Sequence, residues 1–303
     1  MLRPTLLWMS ESDRVRRLLF KLPVTRRAAA RFVAGDGHDE ALAVAAELNG
    51  EGYRVTLDLL GESVTERGEA EAAAAEYADS LELIELSEAR ATISLKLTQL
   101  GLGIDTQFCI ENLTRIVRRA SELENFVRID MEDSTYTERT LQVFYHVFEE
   151  YRNVGIVIQS YLKRSEADVR RLIRLGAPVR LCKGAYKEPG SVAFQNKADV
   201  DANYVRLMKM LLDGGAPTAI ATHDERMIAA TSDYASANRT PQDAYEFQML
   251  YGVRRQLQRE LVNDGLPVRI YLPYGSQWYS YLMRRMAERP ANVLFVLRAM
   301  RGD

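Results

Sequence analysis

The sequence predicts an α/β fold, a closed parallel β/α barrel preceded by an N-terminal helical arm. Short β-rich runs recur eight times beyond residue 50, and stretches with apolar residues at helical spacing lie between them. Eight β/α repeats joined by right-handed crossovers are the signature of a closed barrel, more specific than six or seven would be. Length agrees, because 303 residues hold one barrel of about 250 residues plus an extension.

Residues 1–49 read as the helical arm: RVRRLLFKLP stops at Pro23, and DEALAVAAELNG ends with Asn49 and Gly50. The apolar cluster Leu6, Leu7, Trp8 and Met9 is expected to pack on the barrel, with contact to a membrane surface or a partner as its other use. The barrel then occupies residues 50–303. Its strands are YRVTLDLL from Tyr53, ATISLKLT from Ala91, FVRIDME from Phe126 and NVGIVIQS from Asn153, followed by PVRLCKGA from Pro178, TAIATHD from Thr218, AYEFQML from Ala244 and PVRIYLPYG from Pro267. Segments such as TERTLQVFYHVFEEY, SEADVRRLIRLG and DANYVRLMKMLLDGG supply the helices, several ending in Gly or Asn. No internal repeat or low-complexity linker asks for a second domain.

Composition narrows the function. Hydrophobic residues make up 47% and charged residues 27% of the chain, so a large core forms. Forty Lys and Arg against 42 Asp and Glu give a net charge of −2, which is no electrostatic footprint for nucleic acid. Cys109 and Cys182 form no CxxC pair, and the histidines His38, His146 and His223 are scattered, so neither a disulfide framework nor a metal centre is expected. No apolar run nears the roughly 20 residues of a membrane span, and the charged start does not resemble a secretory leader. A cytoplasmic protein is expected.

In a β/α barrel, alternate strand side chains point inward and active sites form at the C-terminal strand ends. With Ile93, Leu95 and Leu97 facing the helices, Ser94, Lys96 and Thr98 turn inside. The same count sends Asp58, Asp130, Gln159, Arg180, His223, Glu246, Gln248 and Tyr271 inward. Any one of these serves equally well as a structural polar group. Together they imply a central polar site, because burying Lys, Arg, Asp and Glu is costly unless they pair or meet a polar ligand.

SQWYSYLMRRMAERP reads as a last helix stopped by Pro290, with Tyr281, Arg284, Arg285 and Glu288 on one arc. An arginine pair beside a tyrosine can clamp a carboxylate, although a solvated basic face is the commoner meaning of such a pair. GLGIDT from Gly101 lacks the third glycine of a dinucleotide fingerprint, and no GxxxxGK occurs. Lys183, at a strand end, or Lys96 would suit a Schiff-base lyase. A noncatalytic binding protein on a decayed barrel is a further alternative.

DLLGES at Asp58, SLKLTQLG at Ser94, RIDME at Arg128, VRLCKGAY at Val179, ATHD at Ala221, YEFQMLYG at Tyr245 and YLMRRMAE at Tyr281 together resemble the proline dehydrogenase family in its short monofunctional bacterial form. The resemblance runs in order from about residue 53 to 300. It implies a distorted, TIM-like (β/α)8 barrel, noncovalent FAD at the strand ends, and oxidation of L-proline to Δ1-pyrroline-5-carboxylate. A quinone would take the electrons, through transient contact with the inner membrane, and a pyrroline-5-carboxylate dehydrogenase would follow downstream.

The same resemblance implies residue roles. Arg284 and Arg285 would bind the proline carboxylate with Lys96 supporting it, while Tyr271, Tyr281, Leu250 and Ala185 would wall the ring. Glu62 would pair with Arg284 as a gate. Arg180, Gln159 and Lys183 would contact the isoalloxazine beside the backbone of Met131, Gly184 and Ala185. Thr222, His223 and Glu288 would hold the rest of the flavin, with Gln248 a weaker candidate. Asp130 and Arg180 would organise the catalytic centre. Asp224 stands where the family usually has Asn, which leaves its contact open. This agrees with the chemistry: hydride transfer needs a neutral amine, a C5–H aimed at flavin N5, and positive charge beside the reduced flavin.

Overall fold

The computed structural model describes residues 30–278 and Tyr281. RVRRLLFKLP, the Leu6 to Met9 cluster, and Arg284, Arg285 and Glu288 lie outside the described residues. Eight parallel strands close into a barrel in chain order: β1 (Arg54–Leu59), β2 (Ala91–Leu95), β3 (Val127–Ile129), β4 (Val154–Gln159), β5 (Val179–Cys182), β6 (Thr218–Ala221), β7 (Tyr245–Leu250) and β8 (Val268–Tyr274). Closure is made by β8 pairing with β1 from Arg54 opposite Arg269 to Leu59 opposite Tyr274. The eight predicted runs are these strands, several of them trimmed. β2, β3 and β6 stop at Leu95, Ile129 and Ala221, so Lys96, Asp130 and His223 stand just past the ends, on the C-terminal rim.

The described helices are α1 (His38–Gly50), α2 (Arg67–Leu86), α3 (Thr106–Glu122), α4 (Ser134–Glu150), α5 (Ser165–Leu175), α6 (Lys197–Asp213), α7 (Glu225–Ala237) and α8 (Arg255–Asn263), with one 3-10 turn at Gln242–Ala244. The strands are buried on both faces, as a parallel sheet under helices must be. Leu57, Ile93, Leu95, Ile129, Leu181, Ile220, Phe247 and Ile270 are fully buried in the layer between barrel and helices. Each such side chain stabilises the fold by about 1.5 to 3 kcal/mol. α1 packs over β1 and β8 through Ala41, Leu42, Ala45 and Leu48. His38 on α1 bonds Ser80, which also bonds Tyr274 of β8. No described helix is long and apolar enough to cross a membrane.

Short side chains set where helices begin on the rim. Asp105, Asp133 and Asp224 accept from the amides of Phe108, Thr135 and Arg226, capping α3, α4 and α7, each cap worth about 1 kcal/mol. Inside the barrel, Gly155 on β4 is dictated by its neighbour. A Cβ there would stand 2.4 Å from Arg128 Nη1 and 2.7 Å from the Pro178 carbonyl oxygen, and only a bare backbone lets the Arg128 guanidinium reach over β4 to the carbonyls of Ile156 and Pro178.

Candidate functional site

Register decides which side chains share the interior, because residues opposite one another in a parallel ladder point the same way. Asp58 lies opposite Ser94, Ser94 opposite Arg128, Val157 opposite Arg180, and Leu250 opposite Tyr271. The polar interior divides into two layers. Nearer the strand starts, Glu246 accepts from Arg269 Nε at 2.6 Å and from Arg54 Nη1 at 3.0 Å, and Gln248 Nε2 donates to Glu246 at 2.6 Å. Glu246 therefore belongs to a self-contained floor below the rim cluster.

The upper layer gathers Asp58, Ser94, Lys96, Asp130, Arg180 and Tyr271. Asp130 accepts three hydrogen bonds: from Arg180 Nη1 at 2.7 Å, from Tyr271 Oη at 2.7 Å and from Ser94 Oγ at 3.0 Å. Strands β2, β3, β5 and β8 thus meet at one carboxylate. The Arg180 guanidinium carbon lies 5.2 Å from the centre of the Tyr271 ring, within cation–π reach. Lys96 Nζ donates to Asp58 at 3.0 Å. Burial alone would lower the Lys96 ammonium, but Asp58 and Asp130 outweigh it and hold the group above its ordinary range. Burial likewise pushes the Tyr271 phenol well up, helped by Asp130 and Asp58, so it stays a donor.

Among the described residues, two buried polar atoms in this layer have no hydrogen-bond partner: Gln159 Oε1 and Arg180 Nε. Gln159 spends its amide on the Met131 carbonyl at 3.2 Å. An orphaned buried acceptor and an orphaned buried donor are costly in a finished core. They suit a site completed by a ligand with both donors and acceptors, as the edge of a flavin ring has.

Along the β5 and β6 sector, Gly184 takes a φ of +101°, and a Cβ there would fall 2.3 Å from the Tyr161 ring. Glycine is required for both reasons. Lys183 donates to Asp201 at 2.5 Å and Asp224 at 2.6 Å. The Asp224 amide donates to Thr222 Oγ1 at 3.1 Å, and His223 Nε2 accepts the Leu250 amide at 2.9 Å. This fixes the acceptor nitrogen of the imidazole.

The structure therefore brings together Lys96, Asp130, Arg180, Tyr271, Gln159 and Met131, and places Lys183, Gly184, Thr222, His223 and Leu250 along one arc of the rim. Gln248 sits lower, against the floor. Ala185 is exposed, Glu62 is half-buried in the loop after β1, and Tyr281 is buried. Four structural partners escaped the sequence argument. Arg128 and Arg269 follow from the same alternation counted two residues back along β3 and β8. Burial drops the Arg128 guanidinium to about 9, with Arg180 adding to the effect. Glu132, buried against Thr98 N and Oγ1 at 3.1 and 2.5 Å, and Asp201 left no local signal.

A sequence model of the proline dehydrogenase family matches residues 41–298. The chain is 42% identical over 276 residues to proline dehydrogenase 2 of Bacillus subtilis strain 168, covering 91% of both proteins. It is 42% identical over 281 residues to the proline dehydrogenase of Deinococcus radiodurans, covering 90% of this chain and 89% of that one. Similarity to the bifunctional protein PutA of Escherichia coli K12 is 30% and spans only 24% of that longer protein. Among solved structures, proline utilization A from Bdellovibrio bacteriovorus, inactivated by N-propargylglycine, superposes with a TM-score of 0.82 at 27% identity, over 93% of this chain and 38% of that one.

Proposed function

The chain belongs to the proline dehydrogenase family and is an enzyme of proline catabolism, and from that premise we propose that it oxidises L-proline to Δ1-pyrroline-5-carboxylate on a noncovalent FAD seated at the barrel rim. When bound, FAD would supply the hydride acceptor at N5 and pass the electrons on to a quinone. The observation that carries the reading is the convergence of Lys96, Asp130, Arg180 and Tyr271 beside the orphaned atoms Gln159 Oε1 and Arg180 Nε.

Each residue then has a task. Arg180, Gln159 and Lys183 would meet the isoalloxazine, with the backbone of Met131, Gly184 and Ala185 alongside. Thr222, His223 and Glu288 would hold the remainder of the cofactor, with Gln248, whose amide is spent on Glu246, the weaker candidate. Asp130 takes Arg180 Nη1 and leaves its Nε available to a ligand. Lys96, kept charged by Asp58, would add positive field for the proline carboxylate between Arg284 and Arg285. Tyr271, Tyr281, Leu250 and Ala185 would exclude water from the ring, and Glu62 with Arg284 would close the entrance. We assign the working location to the cytoplasm, with transient contact at the inner membrane where the quinone resides, and a pyrroline-5-carboxylate dehydrogenase as the consumer of product.

A Schiff-base lyase needs a neutral amine. Lys183 is gripped by two carboxylates and Lys96 by one, which weighs against that chemistry. Identification of the chromophore released on denaturing the purified protein tests the reading: FAD near one per chain is expected. A colourless protein that is trapped by borohydride with a carbonyl substrate would reverse it.

A further inference from the structure

Lys183, at the end of β5, is held by two carboxylates. Its ammonium lies 2.5 Å from Asp201 Oδ1 and 2.6 Å from Asp224 Oδ2. Asp201, on α6, is only 5% exposed, and its other oxygen takes Lys197 at 2.5 Å with Arg226 Nη1 at 3.7 Å. Asp224 has the opposite division of labour. One oxygen faces Lys183 while the other accepts the Arg226 amide at 3.1 Å and caps α7. A lysine has a flexible four-carbon stem and three donors. Two carboxylates from different elements, α6 and the loop after β6, fix where that stem ends and leave one donor to point elsewhere.

The electrostatics of the pair are unequal. Asp201 balances Lys183 but is itself shared with Lys197 and Arg226. Asp224 is partly exposed at the rim, and Lys197 approaches it only at 3.4 Å. Its negative charge therefore stands beside the Lys183 ammonium on the side open to the rim. Negative charge beside a group that becomes negative on reduction disfavours the reduced form.

We propose that Asp201 and Asp224 are positioning residues that fix the Lys183 ammonium against the flavin, and that the charge of Asp224 lowers the flavin's reduction potential. This rests on the placement of Lys183 at the isoalloxazine proposed above. Asp224→Asn isolates the charge, since Asn caps a helix as well as Asp does and still offers Lys183 an oxygen. Asp201→Asn tests the positioning half.

The experiment is a reductive titration of the holoenzyme with excess FAD present, together with FAD affinity, for wild type and both variants. Asp224→Asn should shift the flavin reduction equilibrium about tenfold toward the reduced form, a potential about 30 mV more positive for a two-electron couple, with thermal stability unchanged. Asp201→Asn should weaken FAD binding about tenfold or more. A wild-type potential in Asp224→Asn, from an enzyme that binds FAD and is bleached by L-proline, would overturn the tuning proposal and leave the functional assignment standing. Wild-type FAD affinity in a folded Asp201→Asn would overturn the clamp. A wild-type protein without flavin would overturn both the inference and the assignment.

Discussion

Asp130 is the residue on which the upper layer depends. It ties Arg180, Tyr271 and Ser94 to one point, so removing it releases a buried guanidinium and a half-buried phenol together. Asp130→Ala should slow flavin reduction by proline by about 2 to 4 kcal/mol in barrier, on the order of 30- to 1000-fold, while FAD stays bound. Stopped-flow reduction rates at saturating proline measure this, and wild-type rates would remove Asp130 from the mechanism. Much of this cluster was legible beforehand, because Lys96, Asp130, Arg180 and Tyr271 fall on the inward phase of short runs whose outward phase is plainly apolar. The carboxylates that grip Lys183 were not. They lie 18 and 41 residues away in sequence, and only the placement of α6 and the β6 loop brings them in.

Among the elements, β7, β8 and β1 are joined below the site by Glu246, Arg269 and Arg54. Burial would raise the Glu246 carboxyl, yet Arg269 and its hydrogen bonds overcome this and hold it down to about 2. A carboxyl depressed in the folded state gives stability that is full above its unfolded value, about 4.3, and lost as pH falls through the folded one. That contribution is on the order of 3 kcal/mol. Glu246→Gln should therefore be less stable than wild type at neutral pH, by about 3 to 5 kcal/mol because Arg269 is left uncompensated. The gap should close between about pH 4.3 and 2. Urea unfolding over that range checks it, and a pH-independent gap would reject the floor as the cause. Alternation along β7 turned Glu246 inward correctly but carried no depth. The division into floor and rim depends on strand stagger, which appears only when β1 pairs with β8.

For the whole molecule, the eight-fold recurrence made the barrel readable, since few other architectures use eight alternating strand and helix segments. Strand ends were less readable. Apolar alternation continues through SLKLT and RIDME although the strands stop at Leu95 and Ile129, because the apolar residues Leu97 and Met131 stay buried past the strand ends. That overrun is what puts Lys96 and Asp130 on the rim. On the proposed reading, this cluster would serve a direct redox exchange between one flavin and one small amino acid. Anaerobic addition of L-proline to the purified protein, followed by absorbance, tests that exchange most directly. The visible flavin band should bleach at a rate saturating in proline; a protein that holds its flavin yet keeps the oxidised spectrum would contradict this.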